Sequence, residues 1–339
     1  VRGRIEIVRF LLNHKNIDIN LEDSNHKTAL ILACDYGHTE IIKMLLQRED
    51  LQKTESRDGA ELLQKYLGKI LRMVTKENNL GLVKKLIEEE NADPNDEDTD
   101  GFKSLMIAAG NGSFSVLEYL LSLSDKININ AQNNYYYGQT ALDIACSKGF
   151  EEVVRILSDS PQLDVNIANK KGITALFTAC SKGHLGVVRL LLTNRDDVNV
   201  NFQDKNKSTA LMISCDSGYI EIVRCLLKHE DIDVNLEDSN HRTALMLACD
   251  HDKPETYYNK SEIITMLLQR EDLQKTAFIM DSGHLQKYLG ITLRTVPKKN
   301  RLGLVKKLIE EDNADPNDED TEGVNSLMIA AMNRHVSAS

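Results

Sequence analysis

The sequence predicts an all-α solenoid of about eight to nine helix–turn–helix repeats with short hairpin or extended fingers, partial at both ends. Three observations carry this prediction. The stretch Lys171–Asn201, KGITALFTACSKGHLGVVRLLLTNRDDVNVN, reads as one complete unit. It holds a turn at Gly172, a short helix from Thr174 to Cys180 and a break at Gly183-His184. A second helix from Leu185 to Leu192 and an extended joint at Asp197-Val198-Asn199 follow. The second observation is recurrence. Positions equivalent to Thr174 fall at Thr28, Lys69, Lys103, Thr140, Thr209, Thr243, Ile291 and Asn325, at intervals of 41, 34, 37, 34, 35, 34, 48 and 34 residues. The third is burial. Val187, Val188, Leu190, Leu191 and Leu192 make an apolar face too broad for one helix pair to cover, so each unit must stack on its neighbours. Residues 1–339 therefore read as a single array.

The recurring first-helix motif is TALILAC (28–34), TALDIAC (140–146), TALFTAC (174–180), TALMISC (209–215) and TALMLAC (243–249), with a Gly-His break at 37–38 and 183–184. With its period near 34, this motif resembles the ankyrin repeat, whose signature is T-P-L-H-x-A. Here Ala replaces the Pro, and the His after Leu is missing. The resemblance covers nearly the whole chain. It implies a protein-binding solenoid whose partner lies along the concave face of finger tips and first helices. It also implies that asparagines in a Leu-x5-Asp-[Val/Ile]-Asn joint can be hydroxylated, and Asn20, Asn199 and Asn235 fit that spacing.

Taken in order, residues 1–13 offer only a second helix, which reads as a cut inside a longer array. The second repeat is disguised: KILRMVTKENNLGLVKKLI (69–87) aligns on 174–192 with Leu71 in the place of Leu176 and Val74 in that of Ala179. Ahead of it, GAELLQKYLG (59–68) carries Leu62, Leu63, Tyr66 and Leu67 at helical spacing, which predicts an extended or additional helix instead of a finger. The third repeat opens on Gly101 after an acidic tract, and its successor has a lengthened finger, NAQNNYYYGQ (130–139). The seventh carries DHDKPETYYNKSE (250–262) between its helices, where a projecting loop is expected. The eighth repeats the disguise of the second, and the ninth stops after SLMIAA. A longer period overlies these units: residues 3–35 match 218–250, and 41–109 match 263–331, so 3–109 and 218–331 are duplicated blocks.

Charge and cysteines bound the function. Of the net charge of −11, ten negative charges lie in two tracts: Asp93, Asp96, Glu97, Asp98 and Asp100, and Asp315, Asp318, Glu319, Asp320 and Glu322. With no basic stripe, nucleic acid is not expected as a partner. With no apolar run of about 18 residues, neither is membrane insertion. Five of the six cysteines share one repeat position, a row spaced too widely for disulfides. They read as small buried hydrophobes in a reducing compartment such as the cytoplasm.

No nucleophile–base pair, phosphate loop or zinc spacing is present, so neither catalysis nor a cofactor is expected. Asp96-Glu97-Asp98-Thr99-Asp100-Gly101 matches the D-x-D-x-D-G opening of a calcium loop, but position twelve is Ile107 instead of a bidentate Glu. A solvated turn at Gly101 is the competing reading. Tyr135, Tyr136 and Tyr137 are the leading recognition candidates, because three tyrosines in one polar finger cannot all be buried and exposed aromatics concentrate binding energy. Packing against a neighbouring finger is their alternative role. Asp96, Asp98, Asp100, the finger-tip residues His26 and His241, and Tyr257 and Tyr258 of the insertion complete the candidate set. The expected function is a non-catalytic scaffold that acts as a monomer and binds a basic or bipartite protein. The alternative is an adaptor segment of a larger protein whose activity lies outside this chain.

Overall fold

Threonine opens the first helix of most repeats because its hydroxyl can satisfy a backbone N–H that the helix start leaves unpaired. In the computed structural model Oγ1 of Thr28, Thr140, Thr174 and Thr209 accepts from the N–H three residues on, at 3.1–3.4 Å. Described are residues 2–48, 50–51, 57–135, 137–249 and 257–273, with scattered positions from 290 to 332 that include the helix 326–332. They form two compact units, Val1–Lys170 and Lys171–Ser339. Among the described residues there is no strand, only an isolated bridge between Glu97 and Lys103.

In the first unit α1 (Arg2–Leu12) is followed by the pairs α2 (Ala29–Asp35) and α3 (Thr39–Leu46), α4 (Arg57–Lys76) and α5 (Leu80–Glu88), α6 (Ser104–Asn111) and α7 (Phe114–Ser122), and α8 (Ala141–Lys148) and α9 (Glu151–Ser158). First helices stack as α2, α4, α6 and α8, and second helices α5, α7 and α9 stack beside them. The second unit repeats the plan with α10 (Ala175–Lys182) and α11 (Leu185–Asn194), α12 (Ala210–Asp216) and α13 (Ile220–Leu226), and α14 (Ala244–Cys249) and α15 (Tyr257–Leu268); α16 (Ser326–Met332) is a first helix.

In the pairs from α2–α3 to α12–α13 the inner turn is closed by a residue with positive φ. Glycine supplies it at Gly37, Gly112, Gly149, Gly183 and Gly218, and in the disguised repeat Asn78 does so at φ 54°. The N–H of the residue after it then reaches back to a first-helix carbonyl, as in His184 N–H to Ala179 O at 3.0 Å. This satisfies helix-end carbonyls that would otherwise be orphaned. Leu71 and Val74 of α4 are fully buried, like Leu176 and Ala179 of α10, so the disguised repeat is in phase. α4 runs continuously from Arg57, so the helical spacing at 59–68 marks an extended helix in place of a finger. Cys34, Cys146, Cys180, Cys215 and Cys249 are buried. Burial pushes Cys34 and Cys180 up to about 12, which leaves them unreactive as thiolates.

The insertion in the seventh repeat needs a correction. Tyr257 and Tyr258 do not belong to a projecting loop: they start α15, which extends its helix backward by one turn. Nothing after Pro254 in YYNKSE breaks a helix, and Lys260, buried, donates to Leu247 O at 3.3 Å, tying that added turn to the end of α14. Residues 250–256 lie outside the described residues, as do the side chains of the two tyrosines. The eighth repeat lies mostly outside them too.

The joints between repeats are tied by asparagine. Asn130 Nδ2 donates to Gln162 O at 2.8 Å, while its Oδ1 accepts from Asp164 N–H at 2.9 Å. Asn20 and Asn235 donate in the same way to Asp50 O and Asp272 O. In the fifth repeat the bridging residue is Asn201, which donates to Asp231 O at 2.6 Å and accepts from Asp233 N–H at 2.9 Å. Asn199, which fits the sequence spacing, instead accepts from Asn201 N–H, the place that Asp18 and Asp233 fill elsewhere. The sequence RDDVNVN has slipped by two residues. Asn201→Ala is therefore expected to cost about 2 kcal/mol, for two inter-repeat hydrogen bonds, and Asn199→Ala about 1 kcal/mol. Urea unfolding followed by circular dichroism would show the order; the reverse order would refute this register.

Candidate functional site: the finger face

Several fingers are tight turns nucleated by an aspartate; in the lengthened one Asn133 takes that place, its Oδ1 accepting from Gln139 N–H at 2.9 Å. Asp98 Oδ1 accepts from the N–H groups of Asp100 (3.0 Å) and Phe102 (2.9 Å), and Asp23, Asp204 and Asp238 repeat this pattern. At Asp23 the N–H groups of Lys27 and Asn25 hold the carboxyl below the usual carboxylate range. At several finger tips one carbonyl accepts from the next finger. Asn134 N–H donates to Asp100 O (2.8 Å) and Lys170 N–H to Tyr137 O (2.7 Å) in the first unit. Lys205 N–H donates to Lys171 O (2.9 Å) and Ser239 N–H to Asn206 O (2.8 Å) in the second. These backbone links fix neighbouring tips in register within each unit.

The residue after the accepting carbonyl takes a left-handed conformation. Gly101 and Gly172 do so freely, and a Cβ at Gly101 would meet Asn134 N at 2.7 Å. Lys207, His26 and His241 hold φ of 57–58° without being glycine. The two histidines are therefore tip residues under backbone constraint, each with Nδ1 about 3 Å from a finger carboxylate, Glu22 or Glu237. Lys207→Gly is expected to stabilise the second unit by about 0.5 kcal/mol, as relief of left-handed strain outweighs the entropy of glycine. Its urea midpoint should rise, and a fall would show that the lysine side chain matters more.

The acidic tract is partly neutralised by basic residues, one of them distant in sequence. Asp96 pairs with Arg72 of α4, and Glu97 pairs with Lys103. Asp98 is occupied by backbone N–H groups, which leaves Asp100 with an exposed carboxylate. Among the described residues no three His, Cys, Asp or Glu side chains come together as metal ligands. Next to Asp100 the lengthened finger brings aromatic surface. The Tyr135 ring lies 5.9 Å from that of Phe102, and Tyr135 and Tyr137 are each about half exposed. Tyr136 lies outside the described residues. The fold thus assembles Asp98, Asp100, Tyr135 and Tyr137 at adjoining tips of the first unit. His26 stands on an earlier finger of that unit, and His241 belongs to the second.

Sequence reasoning passed over Phe102 and Asp143. Phe102 follows the turn glycine, the position of Lys27 and Arg242 in other fingers, so its repeat position was a usable signal. Asp143 stands in TALDIAC where the family has His. It is buried in a capping box, its Oδ2 accepting from Thr140 N–H (3.0 Å) and Oγ1–H (3.1 Å), while Oδ1 is among the buried atoms with no partner. Burial pushes its carboxyl up to about 6, against the lowering effect of the Thr140 donors.

Comparison with known proteins decides the family. The description "Ankyrin repeats (3 copies)" matches residues 1–56, 71–169, 126–204, 161–238 and 196–277. The chain is a member of the ankyrin-repeat family. It is 28% identical over 162 residues to the putative ankyrin repeat protein FPV031 of fowlpox virus, covering 46% of this chain and 44% of that protein. It is 42% identical over 43 residues to human transient receptor potential cation channel subfamily A member 1, covering 13% of this chain and 4% of that one. The ankyrin repeat protein EF0377 has a crystal structure that superposes with a TM-score of 0.51 at 26% identity, over 59% of this chain and 97% of that one. The chain thus spans less than half the length of these curated relatives. Ankyrin repeats generally act as protein–protein interaction modules. Among the described residues, no helix of this ankyrin-repeat chain is long and apolar enough to cross a membrane.

Proposed function

We propose that this ankyrin-repeat chain is a non-catalytic scaffold in a reducing compartment, binding a protein partner along its fingers and first helices. One observation carries the reading: at tips held in register by backbone hydrogen bonds, Tyr135 and Tyr137 offer exposed aromatic surface beside the exposed Asp100. Preset tips lose little ordering entropy on binding, and aromatic side chains give large contact area. Because Asp96 and Glu97 are already paired, the negative charge that selects a basic or bipartite partner falls chiefly on Asp100. The test is capture from native lysate by the chain and by a Tyr135→Ser, Tyr136→Ser, Tyr137→Ser variant. A partner retained by the first, lost by the second and weakened at high salt supports the reading. Equal capture by both removes the tyrosines from it.

A second reading, an adaptor segment of a larger protein, is favoured by the small share of its relatives that the chain spans. Detection of the endogenous protein at 38.2 kDa, the mass of this chain, would overturn it.

A further inference from the structure

One finger tip differs chemically from its equivalents. The residue that follows the left-handed position of the turn is Lys27, Gln139, Ile173, Ser208, Arg242 or Val324 in other fingers, whereas here it is the aromatic Phe102. Its ring lies 5.9 Å from that of Tyr135, tilted by 48°, and Tyr135 is 45% exposed. Backbone bonds pin the chain on both sides of Tyr135. Asn134 N–H donates to Asp100 O at 2.8 Å, and Gly138 N–H donates to Tyr135 O at 3.1 Å. Asp100 stands two residues before Phe102, so its exposed carboxylate borders the aromatic pair. The cations of this region go to other acids: Arg72 pairs with Asp96 and Lys103 with Glu97. Among the described residues Asp100 makes no ion pair. The next finger brings Lys170 to Tyr137, its N–H donating to Tyr137 O at 2.7 Å, so the acidic end of the aromatic surface is the Phe102–Tyr135 end.

We propose that Asp100, Phe102 and Tyr135 form a subsite for an arginine side chain of the partner, an inference that rests on the protein-binding scaffold reading. A cation is attracted to the negative face of an aromatic ring, and a carboxylate beside the ring supplies the counter-charge. Arginine fits this combination better than lysine. Its planar guanidinium stacks on a ring while its N–H groups reach a carboxylate, and it is more weakly hydrated than an ammonium. An exposed carboxylate alone selects either cation weakly, so the discrimination comes from Phe102 and Tyr135. Because backbone bonds fix these positions before binding, little ordering entropy is lost. The duplicated block supplies a contrast within the same chain. Glu322 keeps a carboxylate at the place of Asp100, but Val324 stands where Phe102 does, so that tip lacks this ring.

The test titrates the isotope-labelled full chain, followed by its amide chemical shifts, with the acetylated peptide Gly-Ser-Gly-Arg-Gly-Ser-Gly and with the same peptide carrying Lys for Arg. The arginine peptide is expected to shift the amides of Asp100, Phe102, Asn134 and Tyr135 and to bind about fivefold more tightly than the lysine peptide. Phe102→Val and Asp100→Asn are each expected to weaken the arginine peptide by about fivefold or more. Both install residues that other fingers carry at the same position, Val324 and Asn25, Asn206 or Asn240, and amides outside the finger should keep their shifts. No shift at these four amides, an equal response to both peptides, or variants that bind as wild type does would overturn the proposal. The two readings fail separately. Tyrosine-dependent capture of a partner from lysate without a response to the arginine peptide sinks the subsite and leaves the scaffold standing. The expected peptide response without any captured partner supports the subsite and sinks the scaffold.

Discussion

Leu71→Ala is expected to lower the stability of the first unit by about 3 kcal/mol, the same order as Leu176→Ala in the second. Both leucines are buried on a first helix, and truncation there removes transfer free energy and leaves a cavity. The comparison is informative because Leu71 stands in KILRMVT, which has neither the Thr cap nor the Ala of the other motifs. Its helix needs no threonine at that point. α4 runs straight through Lys69, whose Nζ donates to Cys34 O at 3.0 Å, so no helix start is left to cap. Urea titrations followed by circular dichroism would measure both variants. A loss below about 1 kcal/mol at Leu71 would mean that α4 is not a core helix in phase with its neighbours.

The second large effect is a pH dependence centred on Asp143. Its carboxyl, ordinarily near 3.8, is pushed up to about 6 in the folded chain by burial. The folded state therefore holds this proton more tightly than the unfolded chain does. The group's charged form costs stability in full above about pH 6, and that cost disappears as pH falls toward 3.8. The difference corresponds to about 3 kcal/mol. A carboxamide at this position would keep an acceptor for Thr140 without the charge. Asp143→Asn is thus expected to be more stable than wild type at pH 7.5 and to lose that advantage near pH 4. Comparing the two chains isolates this group from carboxylates of opposite sign, such as Asp35, which its hydrogen bond from Lys27 holds low. A wild-type-minus-variant difference that stays flat from pH 4 to 7.5 would refute the assignment.

Periodic features were legible in the sequence because each is fixed by local chemistry repeated many times. Thr28 or Thr174 caps a helix, Gly183 closes a turn, and Val187 and Leu191 fill a stack whatever lies elsewhere. Even the replacement of a finger by α4 was written in the spacing of Leu62, Leu63, Tyr66 and Leu67. The fold corrected readings where the outcome rests on partners distant in sequence or on a slip of register. The tract around Asp96 reads as unopposed charge until α4 brings Arg72 to it from 24 residues away. Asn199 satisfies the joint spacing, yet two extra residues hand its bridging role to Asn201. Tyr257 reads as loop because the insertion is long, but its last turn winds into α15. At the finger face, the three tyrosines were visible as a run, whereas Phe102 became part of the surface only once the fingers were set side by side.

The replacement of a finger by α4 has a mechanical consequence. Later fingers of the first unit are chained tip to tip by backbone bonds, from Asp100 to Asn134 and from Tyr137 to Lys170. Past the finger at Asp23–Lys27 the next tip is a helix, and the polar ties across that boundary come from side chains: Tyr66 to Asp35, Lys69 to Cys34 O, and Lys85 to Leu46 O. In a linear array, stability is set by nearest-neighbour coupling, and opening starts where one coupling is weakest. Side-chain ties involving charged groups weaken with salt, whereas backbone bonds between tips do not. Under load or in denaturant, α1–α3 should peel from the stack first, at a force that falls as ionic strength rises. The seam at α4 would then serve as the chain's built-in point of mechanical release.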